Sequence, residues 1–297
     1  MRVRLAHFGL LAVLLTGLQP TYAQNPDYDS RFATPCTTAS HPDEPSAPAV
    51  SISEITFSGF IQMPVSYQDA IIATVKREEH GSFVDGVVEE ALERVRAGWQ
   101  NHGYFQVEVS GEDKVLAKTE TEVRIALFVH VDEGAKYRLG GIKFKNNKLL
   151  SDSAKLRDLF PIKDGDIFGR EKIAEGLENL RKESGDQGYI NFTGVPSTTF
   201  DEEKKLAHLE IDVDEGKRFT VGSVKVIGLD EAAREKVLKE YPIKPGQVYN
   251  SKLRQLSLKT IPPLSPGCGC SDPTALHLDE RPGRVDLLLD FRPCPGN

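Results

Sequence analysis

The stretch Val213–Val226 reads VDEGKRFTVGSVKV, and about eighty residues earlier Val131–Phe144 reads VDEGAKYRLGGIKF. Each copy joins two kinds of sequence. Before it, apolar and polar residues alternate: Val123, Ile125, Leu127, Val129 and Val131 in the first copy, Leu209, Ile211 and Val213 in the second. Alternation of period two is the mark of a strand with one buried face. After it comes another strand pattern, Leu139-x-x-Ile142-x-Phe144 or Val221-x-x-Val224-x-Val226, matched upstream by Ile52-x-x-Ile55-x-Phe57. A third alternating run, Val285, Leu287, Leu289 and Phe291, closes the series. The seam is therefore the exit of one repeat and the start of the next. A period of this length is too long for a solenoid unit and fits repeated small domains.

Working outward, each first strand is followed by a short apolar-rich segment and a glycine-centred break. The breaks are Glu79-His80-Gly81-Ser82-Phe83, Lys163-Asp164-Gly165-Asp166-Ile167-Phe168 and Lys244-Pro245-Gly246-Gln247-Val248-Tyr249. A longer helix fits after each break. Val88, Leu92, Val95 and Trp99 share one helical face, as do Ile173, Leu177 and Leu180. These helices stop at Gly103 and Gly188, where glycine suits a left-handed cap. The next residues, Phe105, Val107 and Val109, alternate as a strand does. Polar turns such as Asp201–Lys205 lead to the last strand. Each repeat thus reads strand–helix–helix–strand–strand, an α+β unit with two helices on one face of a three-stranded mixed sheet. The expected domains are 51–134, 135–216 and a divergent, cysteine-containing 217–294. Short connections between them predict a jointed rod, with Asp132, Glu133, Asp214 and Glu215 as linker residues.

The N-terminus differs. Arg2 and Arg4 precede the run Phe8–Leu18, and Thr21-Tyr22-Ala23 offers small residues for cleavage, so residues 1–23 read as a secretory signal peptide cut near Ala23. That run is too short to span a bilayer, which takes roughly 20 residues, and no later stretch reads as a transmembrane helix. Residues 24–50 carry five prolines and no hydrophobic period, a flexible leader. The formal charge of −7 becomes −9 once Arg2 and Arg4 are removed. A mildly acidic chain of mixed signs argues against nucleic acid as a partner.

Export permits disulfides. The candidates are Cys36, Cys268, Cys270 and Cys294. A hairpin turning at Glu280–Gly283 sets position 270 opposite 293 or 294, so Cys270 and Cys294 can approach bridging distance. Cys268 pairing with Cys36 is a second possibility, and the connectivity stays open. A thiol–disulfide activity of Cys268 and Cys270 is the alternative from another functional class. The scattered histidines have no metal spacing, and no G-x-S-x-G, P-loop or H-E-x-x-H occurs, so no catalytic residue, metal or cofactor is expected.

With their repeated order, the Gly-Tyr pairs (Gly103-Tyr104, Gly188-Tyr189), the Val-Asp-Glu-Gly exits and the Phe-Pro-Ile-Lys-Asp-Gly-Asp break resemble POTRA (polypeptide-transport-associated) domains from Ser51 to about Cys294. The resemblance implies the periplasmic part of outer-membrane barrel-assembly or two-partner-secretion proteins. The amphipathic strands that would build a barrel do not follow Phe291. It therefore implies a non-catalytic periplasmic scaffold working with a separate outer-membrane barrel protein, with unfolded client polypeptides, or with both. A remnant of a barrel protein with little activity is the alternative. The third repeat departs from the pattern, with Ile261–Pro273 in place of Gly-Tyr. The resemblance also implies client binding by strand addition at a sheet edge. The candidate residues are Tyr104, Phe105, Gln106, Val107, Glu108 and Val109 in the first repeat, and Tyr189, Ile190, Asn191, Phe192 and Thr193 in the second. Thr274–Asp279 holds the same place in the third.

Overall fold

The structure, a computed structural model, describes residues 48–78, 80–148, 152–260 and 274–292. Three units follow one another. Unit 1 holds β1 (Ala49–Ser58), α1 (Val65–Glu78), β2 (His80–Gly81), α2 (Val84–Asn101), β3 (Glu108–Lys118) and β4 (Glu122–Asp132). Unit 2 holds β5 (Arg138–Lys145), α3 (Ser153–Asp158), α4 (Arg170–Asp186), β6 (Thr193–Asp201) and β7 (Leu206–Asp214). Unit 3 holds β8 (Thr220–Ile227), α5 (Glu231–Glu240), α6 (Ser251–Thr260), β9 (Thr274–Asp279) and β10 (Arg284–Asp290).

The sheets repeat one topology. Their orders are β2-β1-β4-β3, β5-β7-β6 and β8-β10-β9. The last strand of each unit lies in the middle, parallel to the first and antiparallel to its hairpin partner. The middle strand is buried on its helix side, which explains its regular apolar alternation. Unit 1 adds the two-residue β2, paired with Val50 and Ser51. In units 2 and 3 that place is held by single bridges, Arg138 to Ile167 and Thr220 to Val248.

Each unit has its own core. In unit 1, Val87, Ala91, Val95 and Trp99 of α2 are buried, together with Val50, Ile52, Ile125, Leu127 and Val129 of the sheet. Val88 and Leu92, expected at the centre of that helical face, are half-buried beside it. Side chains buried this fully contribute on the order of 2 kcal/mol each.

The four cysteines, the stretch expected to be a signal peptide and the expected leader up to Ala47 lie outside the described residues. Among the described residues, no helix is long and apolar enough to cross a membrane, which says nothing of strands in a barrel.

Candidate functional site

The seam proves to be a folded device. Its first acid turns the chain. Asp132 Oδ1 accepts from Gly134 N at 3.3 Å and Asp214 Oδ1 from Gly216 N at 3.0 Å. The third exit repeats the turn, with Asp290 Oδ1 accepting from Arg292 N at 3.1 Å. An Asx side chain closing on the backbone two residues on is a compact way to leave a strand. The second acid is core. Glu133 is 2 % exposed. It accepts from Gln62 N, Met63 N and Trp99 Nε1 at 2.7, 2.9 and 2.9 Å. Glu215 is also buried, and Phe291 fills the position in unit 3. The sequence pattern reads all four acids as linker residues. Instead one acid of each pair shapes the exit and the other is buried at it.

Immediately beyond the seam, each unit plugs into the corner of the one before. Tyr137 N donates to Gly103 O and Phe219 N to Gly188 O, both at 2.8 Å. Both glycines have φ +94°, and a Cβ on either would lie under 3.0 Å from the next unit: 2.9 Å from Ile167 at Gly103, 2.7 Å from Val248 at Gly188. Glycine is required there both by conformation and by contact. Helix ends cap helix starts across the same joints. Asn101 Oδ1 accepts from Glu171 N in the first turn of α4 at 2.9 Å. Asp186 Oδ1 accepts from Ser251 Oγ and Lys252 N in α6 at 2.6 and 2.7 Å. The residue after each Gly-Tyr enters the next core. Phe105 stacks edge-on against Phe168 at 5.1 Å and packs beside Phe200, while Ile190 packs against the core of unit 3.

Charge reinforces the first joint. Arg170 donates to Glu93 at 2.8 Å, and that hydrogen bond, helped by Arg96, holds the Glu93 carboxyl below the usual carboxylate range. The Tyr137 side chain is fully buried, and its hydroxyl meets the carboxylate of the exposed Glu202. It donates to the Glu202 carboxylate at 2.7 Å and lies 2.9 Å from Gln106 Oε1 of unit 1. Burial first, and Glu202 second, push its pKa up to about 12.

The edge-strand candidates divide between two places. Tyr104–Val107 form a turn closed by Val107 N to Tyr104 O at 3.2 Å, and Tyr189–Phe192 form its counterpart at 3.3 Å. Tyr104, Val107, Tyr189 and Phe192 are buried. Phe105 and Ile190 belong to the joints. Gln106 lies beside Tyr137, and Asn191 donates to Glu280 at 2.9 Å. Only Glu108 and Val109 lie on β3, and only Thr193 on β6. The outer strands β3, β6 and β9 each stand last in their sheet. The missed signal was pairwise: each Gly-Tyr-apolar corner has a matching basic–aromatic pair, Lys136-Tyr137 or Arg218-Phe219, just after the following seam. Among the described residues, no group of three or more His, Cys, Asp or Glu is placed to hold a metal ion.

Residues 137–216 match the family model described as POTRA, Surface antigen variable number repeat. A candidate outer membrane protein assembly factor of Treponema pallidum (strain Nichols) is 25% identical over 81% of this chain and 28% of its own length. The outer membrane protein assembly factor BamA of Neisseria meningitidis serogroup B is 23% identical over 67% of this chain and 25% of its own. The chain thus spans about a quarter of the length of these relatives. The crystal structure of Haemophilus influenzae BamA POTRA3-5 is 21% identical, with a TM-score of 0.62 over 84% of this chain and 99% of that one. That likeness is one of fold. The middle unit matches the POTRA family model, and the chain is a tandem array of three units with the POTRA fold.

Proposed function

We propose that this chain is a non-catalytic periplasmic scaffold in outer-membrane protein assembly or secretion, serving a separate barrel protein and unfolded clients. Export by the signal peptide cleaved near Ala23 would place it there. The curated relatives are named for outer membrane protein assembly, and the part of them that matches is the part this chain contains. Client capture is by strand addition. The observation that carries it is the repeated outer strand: β3, β6 and β9 each stand at one end of their sheet and pair on one side only, with the middle strand β4, β7 or β10. Backbone N–H and C=O groups on such an edge accept an extended chain with little regard to its sequence. That suits a receptor for many clients. The joints would hold successive edges at fixed angles, so that a client is presented in one direction.

The test is photo-crosslinking in cells from positions along β3 and β6, with positions on the outer faces of α1 and α4 as controls. Adducts with a barrel protein or with unfolded clients from the strands, and few from the helices, are expected. Capture from the helices alone would overturn strand addition.

A further inference from the structure

A cation stands over the outer edge of β3. Ser58 Oγ of β1 donates to Val129 O at 3.2 Å, and a Cβ on Gly59, the residue after β1, would lie 2.2 Å from Val131 O. Val129 and Val131 of β4 thus turn their carbonyls toward β1. Their partners across the hairpin are Gly111 and Val109. In an antiparallel ladder, facing residues point their N–H and C=O groups either toward each other or both away. The Val109 carbonyl therefore belongs to the free edge of the sheet. Arg96 of α2 already reaches it, with Nη2 donating to Val109 O at 3.4 Å.

The first joint keeps Arg96 in that place. Glu93, one helical turn before it, takes Arg96 Nη1 on Oε2. Its other oxygen, Oε1, takes Arg170 of unit 2 at 2.8 Å. With one carboxylate oxygen already used across the joint, the Arg96 guanidinium has an arm left for the strand. In unit 2 the same pair is Glu178 and Arg181. Glu178 takes Arg181 Nε and Nη2, each at 2.8 Å, so that arginine closes on its own helix.

A strand added to β3 takes Val109 O with its own N–H and so displaces Arg96 from that acceptor. The client residue beside Val109 turns its side chain to the same face as Val109, because neighbours across a ladder share a face. That face is the helix side. Val109 packs there against the core of unit 1, and a Cβ on Gly111 would lie 2.8 Å from Leu92 of α2. Arg96 arrives from the same side. We propose that β3 selects, among extended chains, those with a carboxylate side chain beside Val109, which Arg96 takes in exchange for the carbonyl. Arg170 is a positioning residue: by holding one oxygen of Glu93 it keeps Arg96 from closing on its own helix. An acid one position along the client faces the other side of the sheet and gains nothing. The inference rests on strand addition at β3 and names the class of client favoured there, strands with Asp or Glu on the side turned to α2.

The experiment uses the purified full chain with p-benzoylphenylalanine at Ser110. That exposed position lies between Val109 and Gly111 and faces away from α2, so it reports a bound strand without touching Arg96. The probes are fluorescent peptides of alternating Thr and Val in which a central Val is replaced by Asp, Asn or Lys. The reading is the peptide concentration that gives half-maximal adduct. The Asp peptide should need about threefold less than the Asn peptide, as one partly exposed, hydrogen-bonded ion pair provides, and the Lys peptide should need the most. Arg96→Gln should bring the Asp and Asn peptides level, and Arg96→Glu should reverse the order in favour of Lys. Arg170→Gln should shrink the Asp preference although its side chain touches no part of β3. Trp99 emission during urea unfolding checks that unit 1 stays folded in each variant. Asp and Asn peptides that label the parent alike, or an Asp preference that survives Arg96→Gln, would overturn the proposal and leave strand addition standing. If no peptide labels β3, strand addition at that edge falls and the proposal falls with it.

Discussion

The indole nitrogen of Trp99 donates to Glu133 at 2.9 Å, so the last turn of α2 is tied to the residue that ends the middle strand. The same carboxylate holds Gln62 N and Met63 N. Three donors depend on one buried acceptor, and a buried donor left unpaired costs about 1–3 kcal/mol. Glu133→Ala should therefore destabilise unit 1 by about 3 kcal/mol or more. Glu133→Gln, which keeps one oxygen, should cost about half as much. Trp99 is the chain's single tryptophan, so its emission during urea unfolding reports on unit 1 alone. An alanine variant within about 1 kcal/mol of the parent would show that these bonds do not hold the unit together.

Gly103 tests the joint. Its φ is +94°, and a Cβ would meet Ile167, the Tyr137 carbonyl and Lys136 at 2.9 to 3.1 Å. Gly103→Ala should cost about 1–3 kcal/mol through backbone strain and push unit 2 off its seat. Gly165, with φ +86° and nothing within 4 Å of its Cβ position, is the control. There alanine brings strain without a clash. Spin labels at Glu112 and Thr198 should give a broadened distance distribution for Gly103→Ala and an unchanged one for Gly165→Ala. Equal broadening in both would mean that the corner does not set the angle between units.

How the sequence announced some of this and hid the rest follows from the range of the interactions. Middle strands are legible because burial on one face imposes period two over nine or eleven residues, as in Val123–Val131. The helix stops are legible because Gly103 and Gly188 need positive φ. Phe105, Val107 and Val109 show the same alternation as a strand, yet the first two lie in a turn. What moves Phe105 out of a sheet and into a joint is Phe168, sixty-three residues away, and no local pattern encodes that contact. Glu133 misled for the same reason. An acid beside a glycine reads as solvated until its donors, one on Trp99 and two at Gln62 and Met63, are in place.

Tyr137 predicts a response to alkali. Its pKa rises from 10.0 to about 12, chiefly by burial and then by the bond to Glu202. A raised pKa in the folded state means that the neutral form is favoured there. The stability this brings is fully present below pH 10 and is lost as pH climbs from 10 toward 12. Tyr137→Phe keeps the ring and removes the hydroxyl. The parent should unfold at a higher temperature than this variant at pH 8, and the difference should shrink steadily above pH 10. Tyr104, also raised by burial, is common to both proteins and cancels in the comparison. A difference that stays constant to pH 11.5 would rule out the donated bond.

The outer strands should not be equal receptors. β3 runs for 11 residues without proline, whereas β6 is shorter and carries an exposed Pro196 near its middle. Proline is tolerated in an edge strand where its missing N–H would have faced solvent, so at β6 an added strand meets a gap in the row of donors. β3 is moderated differently, by Glu112, Asp113 and Lys114, whose charges discourage indiscriminate pairing but leave the backbone free. Crosslinking yields along β3 should therefore exceed those along β6 several-fold. Pro196→Thr should restore the donor, raise capture at β6 toward the level of β3, and increase self-association of the purified chain in light scattering. If β6 captures as well as β3 with Pro196 in place, or if Pro196→Thr changes neither capture nor self-association, recognition depends on side chains and not on the strand edge.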